Sequence, residues 1–153
     1  MKTVHLIVRF DDSLFDVNMF DEHKKIQDNY GYVWWGKFGS GSSKEMVSKI
    51  KDQISKNIET LIFFVKHTEI KYKCNLLDII GGGLNTLRSC PDIKCVPQYY
   101  GSKRCSLWFK VNNLEEEKKD VIRELRLLSD PASMPPLSST RGLMYVSFLQ
   151  KKS

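Results

Sequence analysis

Alternation of apolar and polar side chains predicts β-strands at several places along the chain. Residues 3–10 are apolar at every second position, the spacing of side chains on one face of a strand. Within residues 60–65 the run 61–65 is continuously apolar, which is typical of a buried central strand, and residues 68–80 are predicted to form another strand after a turn near His67. The remaining predicted strands are residues 32–38, 105–111 and 143–149.

Three other segments carry apolar residues at helical spacing. Residues 17–29 predict a short helix. Ser42 and Glu45 have the spacing of a capping box, so a second helix is predicted to begin there. A similar start signal at residue 113 predicts a third helix that ends at Asp130. The inward-facing residues are Met46, Val47, Ile50, Ile54 and Ile58 in the second helix, and Leu114, Val121, Ile122, Leu125 and Leu128 in the third.

These elements predict an α+β fold. The strands, about six, do not alternate regularly with the helices, so a doubly wound parallel sheet is not expected. A curved β-sheet or barrel with two or three helices packed outside fits the order better. The 153 residues suit one domain with a single sizeable core. Residues 81–104 form the longest irregular stretch, and a loop of this length is usually functional or mobile.

Charge and cysteine content narrow the class of partner and compartment. The chain has 24 Lys and Arg against 18 Asp and Glu, and the formal net charge of +6 favours a polyanionic partner. Neither a secretory signal nor an apolar run of membrane-spanning length is present, so we expect a cytoplasmic protein with no membrane partner. The spacing of Cys90 and Cys95 is not that of a zinc site, and no metal or cofactor is predicted. Free thiols are expected at Cys74, Cys90, Cys95 and Cys105.

Residues 30–43 place an aromatic cluster directly before a loop rich in glycine and serine. Trp34 and Trp35 are neighbours, and neighbouring residues of a strand point to opposite faces, so one indole is expected in the core and the other elsewhere. Residues 39–43 lead into a predicted helix, whose first N–H groups can hold a phosphate. A turn that only caps the helix explains this loop equally well.

Aromatic side chains flanked by basic ones suit stacking on nucleobases beside phosphate contacts. The candidate base-binding residues are Tyr32, Trp34, Trp35, Tyr99, Tyr100 and Trp108. The candidate phosphate-binding residues are Lys37, Ser40, Ser42, Ser43, Lys44, Lys103 and Arg104. Core packing is the ordinary role of large aromatic residues, and only the adjacent tryptophans argue for another role.

One pattern favours catalysis. Glu69 and Lys71 form a Glu-x-Lys pattern after an apolar strand, as in many metal-dependent nucleases, but the upstream carboxylate would have to come from Asp52 on a predicted helix. The histidines lie on separate elements without a nucleophile or carboxylate motif. No catalytic site is therefore predicted. A magnesium-dependent nuclease stays as an alternative, as does a module that binds a small nucleotide or a protein through the same pocket.

Four blocks of the sequence resemble the PUA-like domains of the EVE group. They are Glu-His-Lys-Lys-Ile at 22–26, Gly-Tyr-Val-Trp-Trp-Gly-Lys-Phe at 31–38, Val-Pro-Gln-Tyr-Tyr at 96–100 and Trp-Phe-Lys-Val at 108–111. The resemblance implies a compact β-barrel without catalytic chemistry and a pocket for a nucleobase. In EVE-like and related YTH-like domains this base is often modified and held by an aromatic cage.

The resemblance also implies roles for individual residues. Trp34 or Trp35 would form one cage wall and Trp108 another, with Lys37 and the loop 39–43 on phosphate; the third wall stays open among Tyr32, Tyr99 and Tyr100. In bacteria such domains are frequently fused to the motor or nuclease parts of modification-dependent restriction systems. Together with the resemblance, the sequence predicts a non-enzymatic reader of a modified base, flipped out of double-stranded DNA, and the chain would suit the N-terminal part of a longer protein.

Overall fold

A computed structural model describes residues 2–11, 17–83, 86–138 and 142–149. The strands are β1 (His5–Arg9), β2 (Val33–Lys37), β3 (Leu61–Lys66), β4 (Glu69–Gly81), β5 (Leu107–Glu116), β6 (Leu125–Leu127) and β7 (Leu143–Phe148). The helices are α1 (Met19–Tyr30) and α2 (Lys44–Ser55). Short 3-10 helices span Ile93–Cys95, Gln98–Tyr100 and Val121–Glu124.

The strands form one mixed sheet of seven strands in the order β2-β5-β4-β3-β1-β7-β6. β1 and β3 are parallel, and every other neighbouring pair is antiparallel. Among the described residues, the edge strands β2 and β6 do not pair with each other, so the sheet is open and the predicted closed barrel is not formed. The sheet is nevertheless strongly curved, because the rings of Phe10 and Trp35 lie 5.9 Å apart although three strands separate β1 from β2.

Both α-helices begin with a side-chain cap. The side chain of Asn18 accepts a hydrogen bond from the N–H of Asp21 at the start of α1. α2 is capped by Ser43, one residue later than predicted, because the Ser42 side chain is instead hydrogen-bonded to the Tyr145 hydroxyl. α2 also ends earlier than predicted, so Ile58 lies beyond it and is 42% exposed.

The third helix, predicted to start at residue 113, is wrong. β5 continues to Glu116, because residues 115–116 pair with the far end of the long strand β4. The 3-10 helix Val121–Glu124 and β6 follow instead of a third α-helix. Leu114 is buried as predicted, but its N–H donates to a glutamine of α1 rather than to a helical carbonyl. Strand pairing thus outweighs the helical spacing of the apolar residues.

Alternate residues of the strands enter different apolar clusters. Leu6 and Val8 of β1 belong to the cluster under α1 and α2, which we call the helix-side core, whereas Ile7 packs on the opposite face. A third cluster, the tryptophan cluster, consists of Trp34, Cys95, Tyr100, Cys105 and Trp108. Along the described ranges, neither helix combines the length and the apolar composition that crossing a membrane requires.

Candidate nucleic-acid interface

The adjacent tryptophans of β2 point to opposite faces, as strand geometry requires. Trp35 is 1% exposed in the helix-side core, and its indole is stacked between His23 at 3.7 Å and Phe64 at 4.1 Å, measured between ring centroids. Trp34 is 6% exposed and lies in the tryptophan cluster. Both indoles are therefore packed inside the protein.

The other candidate base-binding residues also pack against the tryptophan cluster. Trp108 is fully buried, and its indole N–H donates to the Arg88 carbonyl at 2.8 Å. Tyr100 is buried and stacks on the half-buried Tyr99 at 4.6 Å. Tyr32 donates its hydroxyl to a carboxylate oxygen of Asp92 at 3.0 Å. The fold thus brings these aromatic residues together with Trp34 and separates them from Trp35.

An open cavity lies at the far ends of β1 and β2, which we call the apolar pocket. Its volume is about 180 Å³. This is less than the roughly 300–1,000 Å³ of sites for drug-sized ligands, so it suits a single ring system. The lining residues are Val8, Arg9, Phe10, Asp11, Met19, Trp35, Gly36, Lys37, Phe38 and Gly142.

A second cavity, the loop cavity, adjoins the apolar pocket. Its volume is about 310 Å³, and it shares Lys37 and Gly142 with the apolar pocket. Four residues of the glycine-serine loop, 40–43, line it together with Met46, Leu143 and Tyr145. The predicted phosphate-binding residues Lys37, Ser40, Ser42 and Ser43 are thus brought to one cavity beside the pocket.

Lys37 separates the two cavities. The residue is 6% exposed, and its ammonium donates to the carbonyls of Phe38 at 3.1 Å and Ser40 at 2.6 Å. Burial lowers the pKa of this ammonium, because removal from water disfavours its charge. An ammonium has three N–H groups, and the two carbonyls take two of them. Lys37 therefore fixes the start of the glycine-serine loop between the two cavities.

Comparison with protein families gives one assignment: residues 6–152 match the family described as Pua-like. The chain belongs to the PUA-like family. Domains of this family generally bind RNA or other nucleic acids and are typically non-catalytic binding modules. Searches of curated proteins and of solved structures found no significant match.

The remaining basic candidates of this PUA-like domain line neither cavity, but they follow residues of the chain that lie near these cavities. Lys44 begins α2 and packs on Gly82, where an added Cβ would come within 3.3 Å of the Lys44 Cα. Lys103 and Arg104 are exposed and follow the 3-10 helix that ends at Tyr100. The Lys103 N–H donates to the Tyr100 carbonyl at 2.9 Å, and the Tyr100 ring stacks on the pocket residue Phe38 with ring centroids 5.8 Å apart.

The residues of the nuclease alternative occupy another part of the PUA-like domain. The Lys71 ammonium pairs with the Glu69 carboxylate at 2.7 Å, and both side chains are exposed on β4. Asp52 lies on α2 and pairs with Lys56 at 2.9 Å. Within the described ranges no three His, Cys, Asp or Glu side chains form a cluster that could hold a metal ion. The geometry of Glu69 and Lys71 is that of a surface ion pair.

Sequence reasoning did not single out Phe10, Met19 or Phe38 as pocket residues. Phe10 lies on the same face of its predicted strand as Val4, Leu6 and Val8, and Phe38 lies where a strand meets the glycine-serine loop. The only signal in the sequence was that both phenylalanines stand at strand ends, where side chains often line ligand sites. No local pattern indicates that these two strand ends face each other.

Proposed function

We propose that this PUA-like domain reads nucleic acid by taking one base, flipped out of a DNA duplex, into the apolar pocket. The phosphates next to that base contact the glycine-serine loop. The observation that carries the proposal is that the apolar pocket and the loop cavity adjoin and share Lys37 and Gly142. A base and its phosphate are covalently joined at short distance, so a reader needs an apolar slot directly beside an anion site.

The walls of the apolar pocket suit a flat ring. Phe10, Met19 and Phe38 supply apolar contact surface, and the indole of Trp35 lines the pocket while its two faces are covered by neighbours. A methyl group on the base would gain further contact with such walls, which favours a methylated base over its unmodified form. The third N–H of Lys37 provides a donor to a base oxygen or to a phosphate.

Charge supports the second half of the proposal. The net charge is +6, and the candidate phosphate-binding residues Lys44, Lys103 and Arg104 are exposed. Basic residues on either side of a flipped base would hold the two arms of the DNA backbone. The proposal extends to the EVE group within the family and to fusion with parts that restrict modified DNA, both of which rest on the sequence resemblance, and to the cytoplasmic setting expected from the sequence.

The proposal changes the role of the tryptophan cluster. Trp34, Tyr100 and Trp108 support β2 from the face opposite the helix-side core, and they stay out of contact with the base. Trp35 remains at the site as part of the pocket lining. Phe10 and Phe38 form the aromatic contacts with the base that the resemblance had implied for Trp34, Trp108 and a tyrosine.

The experiment compares duplexes of one sequence that differ at a single position. That position carries cytosine, 5-methylcytosine, adenine, N6-methyladenine or an abasic site, and fluorescence anisotropy gives each Kd. We expect at least one methylated duplex to bind more tightly than its unmodified and abasic counterparts. Phe38→Ala should remove about tenfold of this preference, because stacking on an aromatic ring contributes about 1–3 kcal/mol per base.

Tyr30→Ala provides the matched control. Tyr30 is an aromatic residue that is 55% exposed at the end of α1 and lines neither cavity. This variant should bind all duplexes like the parent protein. Equal affinity of the parent protein for every duplex, including the abasic one, would refute the pocket mechanism.

A further inference from the structure

A buried polar chain runs beside the apolar pocket without lining it. His23 of α1 is fully buried and stacks on Trp35, and Tyr100 is 1% exposed on the other side of β2. We infer that His23 and Tyr100 are positioning residues, which fix the width and shape of the apolar pocket. This inference rests on the proposed function of that pocket.

The hydrogen bonds of His23 define its tautomer. The ring nitrogen Nδ1 lies 2.7 Å from the carbonyl oxygen of Met19, which can only accept, so Nδ1 carries the proton. The other nitrogen, Nε2, is then an acceptor and lies 3.4 Å from the Tyr100 hydroxyl oxygen. Burial lowers the pKa of His23 to about 3, so the imidazole is neutral at pH 7 and this tautomer persists.

The Tyr100 hydroxyl also binds the backbone of Gly36. It accepts from the Gly36 N–H at 3.1 Å, and its single proton is shared between the Gly36 carbonyl at 3.0 Å and Nε2 of His23 at 3.4 Å. β2 is an edge strand, whose outer N–H and C=O groups have no neighbouring strand to pair with. One tyrosine hydroxyl therefore replaces a missing strand at Gly36 and holds β2 in place.

These two residues act on the pocket through residues that line it. Met19, Trp35 and Gly36 all line the apolar pocket, and each contacts His23 or Tyr100 directly. The pair thus joins α1, β2 and the 3-10 helix Gln98–Tyr100 around one cavity. Loss of the hydroxyl would let β2 shift relative to α1, and the shape of the pocket would change with it.

The experiment uses the ratio of Kd values for the abasic duplex and for the preferred methylated duplex. Tyr100→Phe removes only the hydroxyl, and we expect this ratio to fall about three- to tenfold, the range of one lost hydrogen bond. Affinity for the abasic duplex should not change, because the phosphate contacts remain. His23→Phe keeps a ring against Trp35 but removes both hydrogen bonds, and it should lower the ratio to a similar extent.

Thr60→Val is the matched control. Thr60 is a buried residue whose hydroxyl takes part in two hydrogen bonds, with Gln53 and with the Ile58 carbonyl, and it lines neither cavity. This variant should lose stability without a change in the ratio. The melting temperature, measured for each variant, separates loss of stability from loss of recognition.

The outcomes distinguish the inference from the proposed function. If the parent protein prefers the methylated duplex and both Tyr100→Phe and His23→Phe retain that preference, the positioning role is wrong and the proposed function stands. If either variant weakens binding of all duplexes equally, its effect is general and the positioning role is again wrong. If the parent protein shows no preference, the proposed function fails and the inference fails with it.

Discussion

The tryptophan cluster and the apolar pocket differ in how completely their space is filled. The cluster holds Trp34, Tyr100 and Trp108, none of which is more than 6% exposed. The apolar pocket has the same number of aromatic residues, Phe10, Trp35 and Phe38, yet it keeps about 180 Å³ of open space next to the loop cavity. A ligand needs empty volume with suitable walls, so the number of aromatic residues alone does not locate a binding site.

The comparison also explains why one strand can serve two purposes. β2 presents Trp34 to a filled cluster and Trp35 to the helix-side core beside the pocket. Gly36 allows this arrangement, because a Cβ there would come within 2.6 Å of the Trp108 ring. Packing in the tryptophan cluster holds β2 on one face, and the apolar pocket keeps open space beside the other face.

The largest expected effect is a loss of stability when the tryptophan cluster loses an indole. Trp108→Ala should lower the free energy of unfolding by about 3–5 kcal/mol, because it removes a fully buried indole and leaves a cavity. Urea unfolding followed by circular dichroism measures this change. In the fraction that remains folded, the preference for the methylated duplex should persist. A stable Trp108→Ala protein that has lost this preference would show that the cluster is the binding cage.

A smaller expected effect is the pH dependence of stability that arises from the buried His23. Burial lowers the pKa of His23 from 6.5 to about 3, so the unfolded chain binds a proton that the folded protein does not as the pH falls below 6.5. Stability is therefore lost as the pH falls from 6.5 towards 3, by up to about 1.4 kcal/mol per pH unit. His5, with a pKa lowered to about 4, acts in the same direction.

Urea unfolding at pH 7 and pH 5 measures this dependence in the parent protein and in His23→Phe. The parent protein should lose about 2 kcal/mol more than the variant over this interval, because only the parent buries the neutral His23 imidazole. The contribution of His5 is common to both proteins and cancels. An equal loss in both proteins would mean that His23 titrates freely in the folded state.

The smallest expected effect concerns the rim. Arg104→Ala should weaken binding of methylated and abasic duplexes alike and reduce the slope of log K against log salt by about one, the effect of one lost phosphate contact. Lys118→Ala is the control, because it removes one exposed positive charge from a residue that lines neither cavity. If the two variants have the same salt slope, Arg104 does not contact the backbone.

The spacing of apolar residues and the residues that begin or end helices and strands predicted most of the elements. The alternating residues of β1 appear where expected, and α2 begins within two residues of its predicted start although its cap is Ser43 rather than Ser42, because both signals are local. The third helix failed because residues 115–116 pair with β4, about forty residues earlier in the chain. Such long-range strand pairing competes with helix formation, and the local spacing of apolar residues does not show which of the two is more stable.

The candidate site was predictable in one part only. The glycine-serine loop and Lys37 stood out in the sequence, and they line one cavity. Phe10 and Phe38 could not be found in the same way, because their proximity depends on how far the sheet curves. The two tryptophans stood out as well, but the sequence does not show whether the second indole is covered by other residues.

The apolar pocket lies where two strands that are not neighbours in the sheet come close together. Three strands separate β1 from β2 in the sheet, yet both strands line the same pocket. A base held there would contact both the edge strand β2 and the interior strand β1. A domain with a base bound would then resist separation of these two strands more strongly than an empty domain.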